Sequence, residues 1–132
     1  MIPSFQSIDH IHVFVADRVA AEGWYHTVLG FTRVKELEFW APDGGPLTLS
    51  DKSGTVHVAL FQRKPEKCRS TIALATTATD FLAWRAHLAT VLPKPPALED
   101  HQVSWSLYFD DPDANPYEIT SYEYAELALH LR

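Results

Sequence analysis

Residues 10–32, HIHVFVADRVAAEGWYHTVLGFT, and residues 70–92, STIALATTATDFLAWRAHLATVL, can be laid one under the other with Trp84 beneath Trp24, a constant offset of 60. Self-similarity at a fixed period marks a supersecondary unit used more than once. In a chain of 132 residues two such units leave little over, so the sequence reads as one domain made of a repeated module. The first module runs over about 6–64 and the second over about 68–123, followed by a short C-terminal helix over about 124–131.

The content of the module follows from its periodicities. Ile11, Val13 and Val15 alternate with His10, His12 and Phe14, the period of a strand with two different faces. Asp17 can cap a helix over 18–29, in which Ala21, Trp24 and Val28 fall at helical spacing and Gly30 supplies the stop. Three extended segments follow: FTRVKELEFW from Phe31, PLTLS from Pro46 after the turn PDGG, and TVHVALFQ from Thr55 after DKSG. The second copy has its helix stripe at Phe81, Trp84, Leu88 and Leu92, then KPPALED, VSWSLYF, the turn DDPDAN and PYEITSY. Trp24 and Trp84 are core by spacing, and His26, His87 and His130 fall on solvent-facing helix positions. AELALHLR covers a sheet edge.

Composition narrows the function classes. A net charge of -6 with acidic residues spread along the chain argues against a phosphate-tracking face, so nucleic acid is excluded as the main partner. The opening MIPSFQSIDH lacks a basic and an apolar region of the kind that directs export, and no apolar run is long enough to cross a bilayer. Cys68 is the single cysteine, which precludes an internal disulfide and fits a reducing cytoplasm; as a thiol it reads as bland.

The strand faces locate the chemistry. His10, His12 and Phe14 oppose an aliphatic face, as do His57, Ala59 and Phe61 on the last strand of the first module, and Glu118 with Thr120 opposes Tyr117 and Ile119. Three ionisable residues thus project from non-aliphatic faces lined by Phe14, Phe61 and Ala59, an apolar surface with convergent polar groups. An unpaired carboxylate in such a place is costly.

HIHVFVADRVAAEGWYHTVLGF and SLYFDDPDANPYEI resemble the opening and closing segments of the vicinal oxygen chelate superfamily, which holds glyoxalase I, extradiol dioxygenases and the fosfomycin- and bleomycin-resistance proteins. The resemblance implies an α+β fold of two tandem βαβββ modules forming a curled mixed-sheet cup, a small-molecule substrate, a homodimer and a divalent metal (Fe, Mn, Ni or Zn). It places His10 on the first-strand ligand position, seven residues before Asp17, and Glu118 on the last-strand position of the second module. Setting TVHVALF under PYEITSY puts His57 beneath Glu118 at an offset of 61. The fourth position falls on Ser70, or on Thr71 if the register shifts by one, and neither is an ordinary ligand for a divalent ion. His10, His57 and Glu118 then form a 2-His-1-carboxylate set.

Within that resemblance His12 stands beside the ligand, as a hydrogen-bonded neighbour or as a catalytic group, and His101 falls where an extradiol histidine positions or protonates substrate, or is a plain loop residue. Phe14, Phe61, Trp40 and Trp105 are candidate walls for substrate. The resemblance supports a metal-dependent glyoxalase- or dioxygenase-like enzyme, with a metal-free sequestering protein and a fosfomycin-type thiol transferase as alternatives.

Overall fold

A computed structural model describes residues 1–66 and 70–132 of the chain; Cys68 lies outside the described residues. Two compact units are present, Met1–Glu66 and Lys67–Arg132. None of the described helices is long and apolar enough to cross a membrane.

In the first unit the chain forms β1 (Ile11–Val15), α1 (Arg18–Trp24), β2 (Thr32–Arg33), β3 (Leu47–Ser50) and β4 (His57–Gln62). The sheet order is β1-β4-β3-β2, with β1 parallel to β4 and the other pairs antiparallel. Asp17 caps α1, its carboxylate accepting from the amides of Val19 and Ala20 at 2.9 and 3.2 Å. After Trp24 the helix widens into a π-helical turn over Tyr25–Leu29 and ends at Gly30, where φ is +73°. Arg33 on β2 forms a two-pronged ion pair with Glu22 of α1, tying the helix to the sheet edge. The guanidinium holds the Glu22 carboxyl below its ordinary range.

The extended segment expected over FTRVKELEFW is confined to Thr32–Arg33, whose partners are Ser50 and Leu49. Lys35–Trp40 is instead a 3₁₀ helix. Lys, Glu and Leu dominate that stretch in place of the β-branched residues that favour a pleated surface. The turn that follows is packed tightly: a Cβ on Gly45 would stand 2.1 Å from the Trp40 carbonyl oxygen. The Gly45 carbonyl in turn accepts from the Arg18 guanidinium.

The second unit repeats the order with β5 (Ile72–Ala75), α2 (Ala78–Val91), β6 (Ala97–Asp100), β7 (Trp105–Asp110) and β8 (Pro116–Ser121), then α3 (Tyr124–Leu131). Its sheet runs β5-β8-β7-β6, again with a parallel β5–β8 pair. Thr77 caps α2 at the Asp80 amide, and the Glu123 carboxylate accepts from the Ala78 amide. The C-terminal helix sits at the sheet edge as expected, because Tyr124 and Arg132 both reach Asp100 at the end of β6. In the DDPDAN turn the buried Asp111 accepts from the amides of Asp113 and Asn115 and from the Asn115 side chain, all within 2.8–2.9 Å.

Each sheet buries one face. Val13, Val15, Val58, Leu60, Leu47 and Leu49 form the covered face of the first, and Leu107, Phe109, Tyr117 and Ile119 that of the second. At the helices the sequence offset of 60 holds, with Ala21 and Phe81 buried and Val28 and Leu88 buried at matching places. Trp24 and Trp84 are only half-buried, so they flank the core rather than fill it. His87, expected in solvent, is half-buried with its ring edge-on to Trp84 at 5.7 Å.

Two stability predictions follow from the turns. Ala114 holds φ at +65°, a region that costs a residue with a Cβ about 1–2 kcal/mol. Ala114→Gly therefore raises stability by about 0.5–1 kcal/mol after the added chain entropy of glycine, read as a higher urea midpoint at unchanged m-value. Gly45→Ala drives a methyl into the Trp40 carbonyl and lowers stability by about 1–3 kcal/mol in the same titration.

Candidate functional site

Pairing register decides which side chains share a face. In the parallel ladder Ile11 faces Val58 and Val13 faces Leu60 on the covered side, while His12 faces Ala59 and Phe14 faces Phe61 on the open side. Ser50 opposite His57 and Thr48 opposite Ala59 bring β3 onto that open side as well. The alternation expected for His12, Phe14, His57, Ala59 and Phe61 is thus the one the sheet adopts, with His10 directly before β1.

His10, His12 and His57 line one concavity of about 100 Å³, together with Asp9, Thr48, Ala59 and Trp40. Trp40 also lines it, delivered there by the 3₁₀ helix over Lys35–Trp40. The His10 Nδ1 is 2.8 Å from the Asp9 carboxylate, and its Nε2 is hydrogen-bonded to the Nε2 of His12 at 3.1 Å. An outer carboxylate on one ring nitrogen orients the other, the arrangement found behind metal-bound imidazoles. A separation of 3.1 Å between two imidazole nitrogens is that of groups sharing one proton or one cation, since divalent metal–nitrogen bonds are about 2.0–2.1 Å long. The imidazoles of His10 and His57 that line the concavity are of the donor type a divalent ion takes. Among the described residues, no three His, Cys, Asp or Glu side chains are gathered into a group that could hold a metal. The His12 ring also rests against Phe61 at 4.7 Å.

On the second sheet Glu118 faces Ala73 on one side and Tyr108 on the other, on the face opposite Tyr117 and Ile119. Its carboxylate accepts from the Ser106 hydroxyl at 2.7 Å, and Ser106 Oγ is 3.1 Å from the Thr120 hydroxyl. The cost of a half-buried carboxylate is thus offset by Ser106, and Glu118 needs no ion on that account. Among the described residues no buried side-chain nitrogen or oxygen lacks a partner. Burial, with the negative charge of Glu118 beside it, pushes the Tyr108 phenol above its ordinary range. His101 Nε2 shares a hydrogen bond with the Tyr108 hydroxyl at 2.9 Å, so this histidine is anchored to the open face of the second sheet.

Three corrections concern the expected site. Trp105 is buried, its ring stacked on Tyr124 at 5.5 Å and its indole N–H donating to the Tyr124 carbonyl, so it seats α3 and is no substrate wall. Continuing the β5 alternation one residue upstream puts Thr71, not Ser70, on the face of Glu118, because Ala73 and Ala75 share that face. Strand for strand, Glu118 is third in β8 and His57 first in β4, so the residue at Glu118's level in the first unit is Ala59. Asp9, Ser106 and Tyr108 were missed. The last two alternate with Trp105, Leu107 and Phe109, a pattern already visible in WSLYF.

Comparison with known proteins bears on these faces. The family model for the glyoxalase/bleomycin resistance protein/dioxygenase superfamily matches residues 7–119. A comparison with curated proteins found no match. Among solved structures, an integron cassette protein from the mobile metagenome of the Halifax Harbour sewage outfall is similar at TM-score 0.72 and 17% identity, over 89% of this chain and 99% of that one. A lactoylglutathione lyase from Agrobacterium tumefaciens is similar at TM-score 0.70 and 18% identity, over 89% and 95%. The fosfomycin resistance protein FosX of Listeria monocytogenes, solved with Mn(II) and sulfate, is similar at TM-score 0.67 and 12% identity, over 98% and 100%. At such identities the structures speak for the fold alone. With two units of the same strand order, each closed by a parallel pair of its first and last strands, and a family match over most of its length, the chain belongs to the glyoxalase/bleomycin resistance protein/dioxygenase superfamily.

Proposed function

We propose that this protein is a divalent-metal-dependent enzyme acting on a small molecule, and that its chemistry is centred on the histidine concavity of the first unit. The supporting observation is the convergence of the His10 and His12 Nε2 atoms at 3.1 Å in a concavity that His57 also lines. His10, oriented by Asp9, and His57 are the nitrogen ligands of this proposal. The chemistry that a divalent ion supplies in such a set is Lewis-acid stabilisation of an oxyanion on a substrate with two neighbouring oxygens. With the His10 Nε2 taken up by an ion, the His12 Nε2 that now bonds to it would be released to receive or return a substrate proton. Trp40 and Phe61 flank these groups and keep water from one side of a bound substrate. Lyase, dioxygenase and thiol-transfer chemistry all begin from this arrangement. The Mn(II) held by the Listeria FosX, a protein of the same fold, is in keeping with this proposal.

Elemental analysis of tag-free protein, as purified and after loading with Fe(II), Mn(II), Ni(II) or Zn(II), tests it. We expect near-stoichiometric metal in the parent protein and in His12→Ala, and a small fraction of that in His10→Ala and His57→Ala. Absence of tight metal in the parent, or its retention in His10→Ala, would overturn the proposal in favour of metal-free ligand trapping.

A further inference from the structure

The open face of the first sheet carries more than histidines. Arg63 directly follows β4, and its amide donates to the Val15 carbonyl at 3.0 Å, which continues the parallel ladder by one residue. By alternation Arg63 belongs to the same face as His57, Ala59 and Phe61. Its guanidinium carbon lies 5.2 Å from the ring centroid of Phe14 and 5.2 Å from that of Phe61. These rings are themselves edge-to-face at 6.1 Å.

That placement leaves the guanidinium available in a specific way. A guanidinium held beside aromatic rings keeps N–H groups with which to meet a planar or tetrahedral oxyanion through two parallel bonds. Arg33 and Arg132 spend their edges on carboxylates, and Arg18 spends its on the Gly45 carbonyl. No described carboxylate forms an ion pair with Arg63. The side chain is also held before any ligand arrives, so little rotamer freedom is left to lose on binding. From Arg63 the wall continues to the site by two ring steps, 5.2 Å to Phe61 and 4.7 Å from Phe61 to His12. In a chain of net charge -6, an unpaired cation on this face marks where a negative group is accepted and where the acidic surface otherwise repels it.

We infer that Arg63, seated on Phe14 and Phe61, is the recognition point for an oxyanion of the substrate, a carboxylate or a phosphonate on a small molecule whose other end meets the histidines. The inference rests on the reading that the histidine face of the first unit binds a small molecule, but it does not depend on a metal. The test therefore uses chelator-treated, metal-free protein and three single-ring probes: phenylphosphonate, benzoate and uncharged benzyl alcohol. Binding is followed by protein NMR shifts and by tryptophan fluorescence.

Phenylphosphonate or benzoate is expected to bind wild type more tightly than benzyl alcohol does. Losing a charge-assisted hydrogen-bonding partner weakens the anion on the order of tenfold in Arg63→Gln, with benzyl alcohol unchanged. Arg63→Lys, which keeps the charge and loses the fork, falls between the two. The preferred anion identifies the source as carboxylate or phosphonate. Equal anion affinity in Arg63→Gln, equal affinity of wild type for benzyl alcohol and the anions, or no binding of either anion to wild type overturns the inference. Because no metal is present in these titrations, each of those results leaves the metal content of the histidine variants to be judged separately. Unchanged thermal midpoints in both Arg63 variants show that the comparison is between folded proteins.

Discussion

The open face of the first unit depends on one pairing, the parallel register of β1 against β4. It sets Ile11 and Val13 against Val58 and Leu60 beneath the helix, and by the same pleat it sets His12 against Ala59 and Phe14 against Phe61 on the open side. A slip of one residue would bury two imidazoles and expose two valines, an exchange that the transfer cost of the imidazoles and the lost apolar burial both oppose. The hydrophobic core thus specifies the functional face without touching it. Because β1 and β4 are the first and last strands of the unit, residues about fifty positions apart arrive side by side, and His10 and His57 come to share one concavity.

The turns around that face are built to the same end. Gly45 is the one position in the PDGG turn where a methyl would strike backbone, and the backbone it would strike belongs to Trp40, the aromatic wall of the concavity. Asp51 organises the β3–β4 turn: burial disfavours its charge, yet bonds from Ser53, Val56 and Thr55 outweigh that and keep its carboxyl below the ordinary range. That turn delivers His57 as the first residue of β4. Side chains that carry no chemistry therefore decide where the chemistry-bearing ones begin.

Much of this was legible in the sequence because helices and strand faces have different periods. The module order, the helix caps at Asp17 and Gly30, and the open-face set of histidines and phenylalanines could all be read from period 2 and period 3.6. The offset of 60 was sound for the helices, where Ala21 matches Phe81 and Val28 matches Leu88. It misleads at the strands, where Ile11 and Ile72 are 61 apart and Val58 and Tyr117 are 59 apart, each one residue off that offset. A helix tolerates a one-residue error by a rotation of 100°, whereas a strand turns its side chain to the opposite face. Ser70 was placed beneath His10 for that reason, and Thr71 has the correct face. Trp105 failed differently: aromatic character in a strand does not say which face it serves, and only α3, packed on Trp105 through Tyr124, resolves it.

The two sheets share a plan and differ in what they do with it. On the first, the open face carries imidazoles that meet each other and Asp9, and an arginine beside two aromatic rings. On the second, the polar side chains are already engaged: Glu118 with Ser106, and Tyr108 with His101. A carboxylate has acceptor sites on both oxygens, so the single Ser106 bond leaves Glu118 able to take a further donor. The two open faces therefore differ in the kind of group they carry, imidazoles and an arginine beside aromatic rings on the first and a carboxylate among hydroxyls on the second, and not in whether those groups are already engaged.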